Sequence, residues 1–117
     1  KDRVRIDSFT DDVHSYYLRA GVYVLASRWE GMPLVLMEAL AHGLPVIASN
    51  LPVVEELLGE SRAAMLFENG NIAELADRMF DMAASADLAE RGRAAVDCAR
   101  EFSMDKVIEE WKQKIIR

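Results

Sequence analysis

Two glutamates, Glu30 and Glu38, are the residues whose type and spacing most clearly suggest chemistry. Every residue between them is glycine, proline or apolar, and the apolar run continues beyond Glu38 until His42 and Gly43. An apolar helix needs no carboxylate in its middle, and burying an unpaired one is strongly unfavourable. One acid before the helix and one inside it therefore suggest a cleft that holds a ligand with hydroxyl groups.

The start of this helix is suited to an anion. Pro33 fits the first helical position, and the unpaired N–H groups and helix dipole there favour a phosphate near residues 31–35. Gly31 lets the backbone approach a ligand closely. Glu38 can accept two hydrogen bonds from a vicinal diol such as a ribose, and Glu30 can hold a second sugar or a developing positive charge. Together these features predict a nucleotide-sugar site.

A structural explanation of the two acids is also open. Glu38 could pair with a basic residue in a salt bridge, and Glu30 could be a solvated loop acid. For either glutamate alone this explanation is the better one. The spacing of the two acids, together with Gly31, Pro33 and the apolar context, favours the ligand site.

Composition limits the class of protein. The chain has 117 residues and 51% hydrophobic content, enough for one core, and its net charge is −6 without a basic tract for nucleic acid. No apolar run has the length of a membrane span. Cys98 is the only cysteine, which excludes an intrachain disulfide and fits a reducing compartment, and no metal-ligand cluster is visible.

Hydrophobic patterning predicts an α/β fold with a parallel sheet in the part of the chain before residue 70. Asp11 or Asp12 can cap the first helix, Asn71 caps a later one with Glu74 as in a capping box, and His42 is expected to cap a helix end. The predicted strands are residues 4–9, 22–27, 45–49 and 64–67. The predicted helices are residues 12–20, 33–42, 52–58, 71–83 and 85–101, and one that begins at Ser103.

Residues 27–49, which include Glu30 and Glu38, closely resemble the signature of retaining glycosyltransferase family 4 in the GT-B superfamily. Shorter likenesses occur at residues 11–13, 56–58 and 101–103. The resemblance implies a three-layer Rossmann-like parallel sheet with flanking helices and extra C-terminal helices. Residues 1–117 would form part of a nucleotide-sugar donor-binding domain, without the acceptor domain and the first strands of the donor domain.

The resemblance also implies roles for individual residues. Glu30 would be the catalytic glutamate at the donor sugar and reaction centre, and Glu38 would bind the nucleotide ribose. The other implied donor contacts are the backbone of Gly31, Met32, Pro33 and Leu34, at the diphosphate and sugar, and the loop with Phe9 and Thr10, near the base.

The implied reaction is retaining transfer of a sugar from a nucleoside diphosphate to a glycan or lipid-linked acceptor, in polysaccharide biosynthesis, without a cofactor or bound metal. We expect a cytoplasmic protein without nucleic acid partners, with attachment at the inner face of the membrane left open. The chain alone should be inactive, and its open sheet edge could pair with a second copy. The alternatives are a non-catalytic α/β assembly module or another GT-B enzyme such as a sugar-nucleotide epimerase.

Overall fold

The sheet has three parallel strands, β1 (Tyr23–Leu25), β2 (Val46–Ser49) and β3 (Ala64–Phe67), in the order β1-β2-β3. Tyr23 is paired with Val46, and Val46 with Ala64. The structure is a computed structural model, and it describes residues 3–29, 31, 34–102 and 113. Because all three strands run the same way, their carboxyl ends meet at one edge of the sheet.

Five helices are described around this sheet: α1 (Val13–Arg19), α2 (Leu34–Ala41), α3 (Pro52–Leu58), α4 (Ile72–Ala83) and α5 (Leu88–Glu101). Among the described residues, no helix is both long and apolar enough to cross a membrane.

The core lies on both faces of β2. Val46 and Ala48 face a cluster built from α2, α3 and α5, whereas Ile47 packs with Phe67 and with Met82 of α4. All four residues of β2 are buried. The predicted three-layer α/β fold with a parallel sheet is therefore confirmed.

The start and end signals of several helices also hold. α3 has the predicted bounds, and Gly43 follows α2 with a φ of 77° that favours glycine. The Asn71 side chain accepts a hydrogen bond from the backbone N–H of Glu74 and so caps α4. The reciprocal half of the capping box is not formed, since the Glu74 carboxylate accepts from the N–H of Glu68.

The strand predicted at residues 4–9 is wrong. This segment is irregular, and the side chains of Val4, Ile6 and Phe9 are 74%, 93% and 91% exposed. No described strand pairs with the segment, so neither a ladder nor burial stabilises an extended ribbon. Asp7 instead accepts hydrogen bonds from Arg5 and from the Tyr16 hydroxyl.

The apolar faces predicted for α1 and α4 need correction. The apolar spacing predicts that Val13, Tyr16, Tyr17 and Ala20 form the buried face of α1, but of these only Tyr17 is buried. It likewise predicts Ile72 and Met79 as apolar contacts of α4, but both are exposed and Met82 is buried. The helix predicted from Ser103 falls outside the described residues.

A close backbone contact joins α5 to the end of α2. A Cβ atom added at Gly92, inside α5, would lie 2.7 Å from the carbonyl oxygen of Gly43. Glycine costs helix stability of about 1 kcal/mol relative to alanine, so its presence in mid-helix is explained by this approach.

We therefore expect Gly92→Ala to lower the free energy of unfolding by about 1–3 kcal/mol, as overpacked sites do, although alanine is the better helix former. Urea unfolding of the purified variant measures this change. The control is Gly21→Ala, because a Cβ there meets nothing within 4 Å. Equal or greater stability of Gly92→Ala would contradict the close contact.

Candidate functional site

Helix α2 has one buried face and one open face. Leu36, Ala39 and Leu40 are buried, and they fix the rotation of the helix against the sheet. Leu34 and Val35 in the first turn are 59% and 44% exposed, and Glu38 is exposed one turn later. The open face therefore presents two apolar side chains and then a carboxylate.

The position expected for Glu38 must be corrected. The apolar sequence around Glu38 suggests a carboxylate in a buried position, where its charge would be costly. The residue is exposed instead, because the buried residues of α2 turn it away from the core. A charge in this position remains hydrated, so no compensating cation is required.

Tyr17 of α1 reaches across to Glu38. Its ring is buried, and its hydroxyl lies 3.1 Å from Oε1 of Glu38 and 3.4 Å from the carbonyl oxygen of Val35. A hydroxyl has a single proton, and the closer, charged carboxylate is the better acceptor. Burial, then the hydrogen bond to Glu38 and then the Glu38 charge, raises the pKa of Tyr17 to about 12. The phenol therefore stays neutral and donates.

This contact leaves part of the carboxylate open. Among the residues that the structure describes, no hydrogen-bond partner is recorded for Oε2 of Glu38. A carboxylate has about four lone-pair sites, so Glu38 can still accept hydrogen bonds from a ligand with Tyr17 in place. Tyr17 thus orients the acid without blocking it.

Two histidines, His14 and His42, lie at the C-terminal end of the same helix. Nδ1 of His42 donates to the carbonyl oxygen of Glu38 at 2.8 Å, because a carbonyl can only accept, and this confirms His42 as a helix-end cap. Its Nε2 lies 2.7 Å from Nδ1 of His14, and its ring centre is 4.8 Å from that of Tyr17. Tyr17 and His14 carry no signal of these contacts in the sequence, because their partners Glu38 and His42 lie 21 and 28 positions away along the chain.

The structure describes some of the other predicted site residues and not the rest. Leu34 lies in the open first turn of α2, and the space beside exposed Gly31 is free, since an added Cβ meets nothing within 4 Å. Phe9 is exposed, and Thr10 Oγ1 accepts from the N–H of Asp12 before α1. Glu30, Met32 and Pro33 lie outside the described residues, so their roles stay predictions.

Two cavities lie away from the open face of α2. Cavities of about 520 and 590 Å³ lie beside α5, and neither is lined by Glu38. The first has five acids in its wall, which is a poor environment for a phosphate. Across the described residues, no three His, Cys, Asp or Glu side chains are placed to hold a metal ion. The chemistry therefore favours the open face of α2 over these two cavities.

Comparison with known families identifies the family of the chain. The family model described as "Glycosyl transferases group 1" matches residues 1–95, which include β1, β2, β3 and all of α2. The chain belongs to the glycosyl transferases group 1 family. The crystal structure of TarM superposes with a TM-score of 0.78 at 24% identity, covering 90% of this chain and 22% of that one, and shows the same α/β fold.

Two relatives with similar sequences are much longer than this chain. An uncharacterized glycosyltransferase of Haemophilus influenzae is 33% identical over 117 residues, which is 96% of this chain and 32% of the relative. The Escherichia coli UDP-Gal:alpha-D-GlcNAc-diphosphoundecaprenol alpha-1,3-galactosyltransferase is 41% identical over 51 residues, which is 44% of this chain and 13% of the relative. The chain thus spans less than a third of the length of these relatives.

Tyr17→Phe tests the contact with Glu38. Folding raises the pKa of this phenol from 10 to about 12. The stability that the protonated Tyr17 contributes is therefore fully present below pH 10 and is lost as the pH rises towards 12. The variant should be less stable at neutral pH by about 0.5–1.5 kcal/mol. It should also lack the tyrosine whose ultraviolet titration is shifted to about pH 12.

Tyr16→Phe is the matched control, because the Tyr16 hydroxyl bonds to exposed Asp7 and not to α2. If Tyr17→Phe left the high-pH titration in place, the contact with Glu38 would be disproved.

Proposed function

We propose that this chain is part of the donor-binding domain of a glycosyltransferase that takes a sugar from a nucleoside diphosphate. The observation that carries the proposal is the exposed carboxylate of Glu38, oriented by the Tyr17 hydroxyl at 3.1 Å on the open face of α2. Membership of the glycosyl transferases group 1 family supports the class of reaction.

Glu38 would bind the ribose diol of the donor. Two neighbouring sugar hydroxyls can donate to the carboxylate while its Oε1 keeps the bond from Tyr17. The exposed side chains of Leu34 and Val35 would lie under the rest of the donor and lose water as it binds. A carboxylate that is already held in place loses less conformational entropy when the ligand binds than a mobile one does. By orienting Glu38, Tyr17 would therefore strengthen donor binding.

The chemistry would lie before α2. In the proposed role, Glu30 acts at the donor sugar, where positive charge develops as the bond from the anomeric carbon to the diphosphate breaks. Backbone N–H groups near Gly31 and Leu34 would stabilise the departing diphosphate, and Phe9 and Thr10 would lie near the base. We further propose retention of the anomeric configuration, as in glycosyltransferase family 4, with no cofactor.

The acceptor would be a glycan or a lipid-linked glycan. The name of the Escherichia coli relative specifies a diphosphoundecaprenol-linked acceptor, which supports this class. Such an acceptor would be bound outside the residues described here, at the inner face of the membrane.

Glu30→Ala and Glu38→Ala should each lower sugar transfer at least about tenfold, equivalent to about 1.4 kcal/mol of transition-state stabilisation. Loss of Glu38 should also weaken donor binding. The measurement is transfer from a panel of radiolabelled nucleoside diphosphate sugars by the protein in its natural length, with the melting temperature as a check on folding.

Glu90→Ala is the control, because this exposed glutamate lies on α5 and forms an ion pair of 3.4 Å with exposed Arg62. Turnover by both site variants equal to that of the control would show that the two acids are structural.

A further inference from the structure

The loop that follows β1 is tied down at its base by side chains from the ends of the neighbouring strands. Ser49, at the end of β2, is fully buried, and its Oγ donates to the carbonyl oxygen of Ser27 at 2.6 Å. The next carbonyl, that of Arg28, accepts from Nδ2 of Asn69 at 3.0 Å. Arg28 stands two residues before Glu30 in the chain.

Asn69 is itself held in place. It follows β3, and its backbone N–H donates to Oδ1 of Asn50 at 2.9 Å, just after β2. The contact from Asn69 to Arg28 therefore passes over the end of the central strand and joins the two outer loops. We call Ser49, Asn50 and Asn69 the carboxyl-edge clasp.

Packing alone does not hold these loops together. A cavity of about 140 Å³ lies between Ala26 and Arg28 on one side and Phe67 and Gly70 on the other. Asn69 is exposed and lies outside the three clusters of the core. Its contribution is therefore to the geometry of the loop and not to the stability of the interior.

The chemistry of the contact is specific. A backbone carbonyl can only accept a hydrogen bond, so Asn69 must present its amide nitrogen to Arg28. An aspartate has the same shape but would place a carboxylate oxygen against the carbonyl oxygen. Only a donor at this position holds the loop.

We propose that Asn69 is a positioning residue that sets the base of the loop leading to Glu30. The inference rests on the proposed glycosyltransferase function. Displacement of a reacting group by about 1 Å can cost about a hundredfold in rate. An enzyme in which the base of this loop is released should therefore transfer sugar more slowly, while the donor still binds through α2.

The test compares Asn69→Asp and Asn69→Ala with Asn71→Asp in the protein of natural length. Asn71→Asp adds the same charge two residues away and keeps the acceptor that caps α4. We expect both Asn69 variants to lower kcat about tenfold with the donor KM changed less than about threefold, while Asn71→Asp stays within about twofold of wild type. All three should keep the wild-type melting temperature within a few degrees.

Hydrogen–deuterium exchange of the peptide that contains Ser27 and Arg28 gives a second readout that needs no activity. It should exchange faster in the Asn69 variants than in Asn71→Asp. An active wild type with equal kcat and equal exchange in all variants would overturn the positioning role. An inactive wild type would overturn the proposed function instead, and the exchange comparison would still decide whether Asn69 holds the loop.

Discussion

The complete burial of β2 is the constraint on which the rest of the structure depends. Val46 and Ala48 lie in one apolar cluster and Ile47 lies in another, so helices must cover both faces of the sheet. Such coverage requires crossover helices between parallel strands, and parallel strands bring their carboxyl ends to one edge. The loops after β1, β2 and β3 are neighbours for this reason, and the carboxyl-edge clasp is the hydrogen bonding that this neighbourhood permits.

The same constraint decides which way Glu38 points. Leu36, Ala39 and Leu40 must face the core, and one helix can satisfy them only by turning Glu38 outward. α1 then packs against the same helix through Tyr17, whose hydroxyl meets the carboxylate. A buried phenol and an exposed acid thus make one unit, in which the core supplies rigidity and the surface supplies the binding group.

Much of the fold could be predicted because its signals are local. Pro52 at the start of α3 and Gly43 after α2 act through their own backbone conformation, and the side chain of Asn71 caps a backbone N–H three residues on. The apolar strand at residues 45–49 needs no partner to be recognised. The strand at residues 4–9 could not be judged in this way, since an extended segment depends on a ladder that the sequence does not specify.

The candidate site shows the same division. The two acids and the glycine between them stand out in the sequence, and their roles stay predictions. The exposure of Glu38 follows from the packing of α2 on the core. The hydrogen bonds from Tyr17 to Glu38 and from Asn69 to Arg28 are tertiary contacts, because they join residues 21 and 41 positions apart. Gly92 is similar, since a glycine in mid-helix is explained only by the neighbouring Gly43 carbonyl.

The most direct test of a donor site on α2 is amide chemical-shift mapping by NMR as nucleoside diphosphate sugars are added. The largest shifts should fall on the loop after β1, on the first turn of α2 and on Glu38, with a further change at Tyr17. Shifts confined to the acidic cavity beside α5, or none with any nucleotide sugar, would contradict the assignment of α2 as the donor-binding helix.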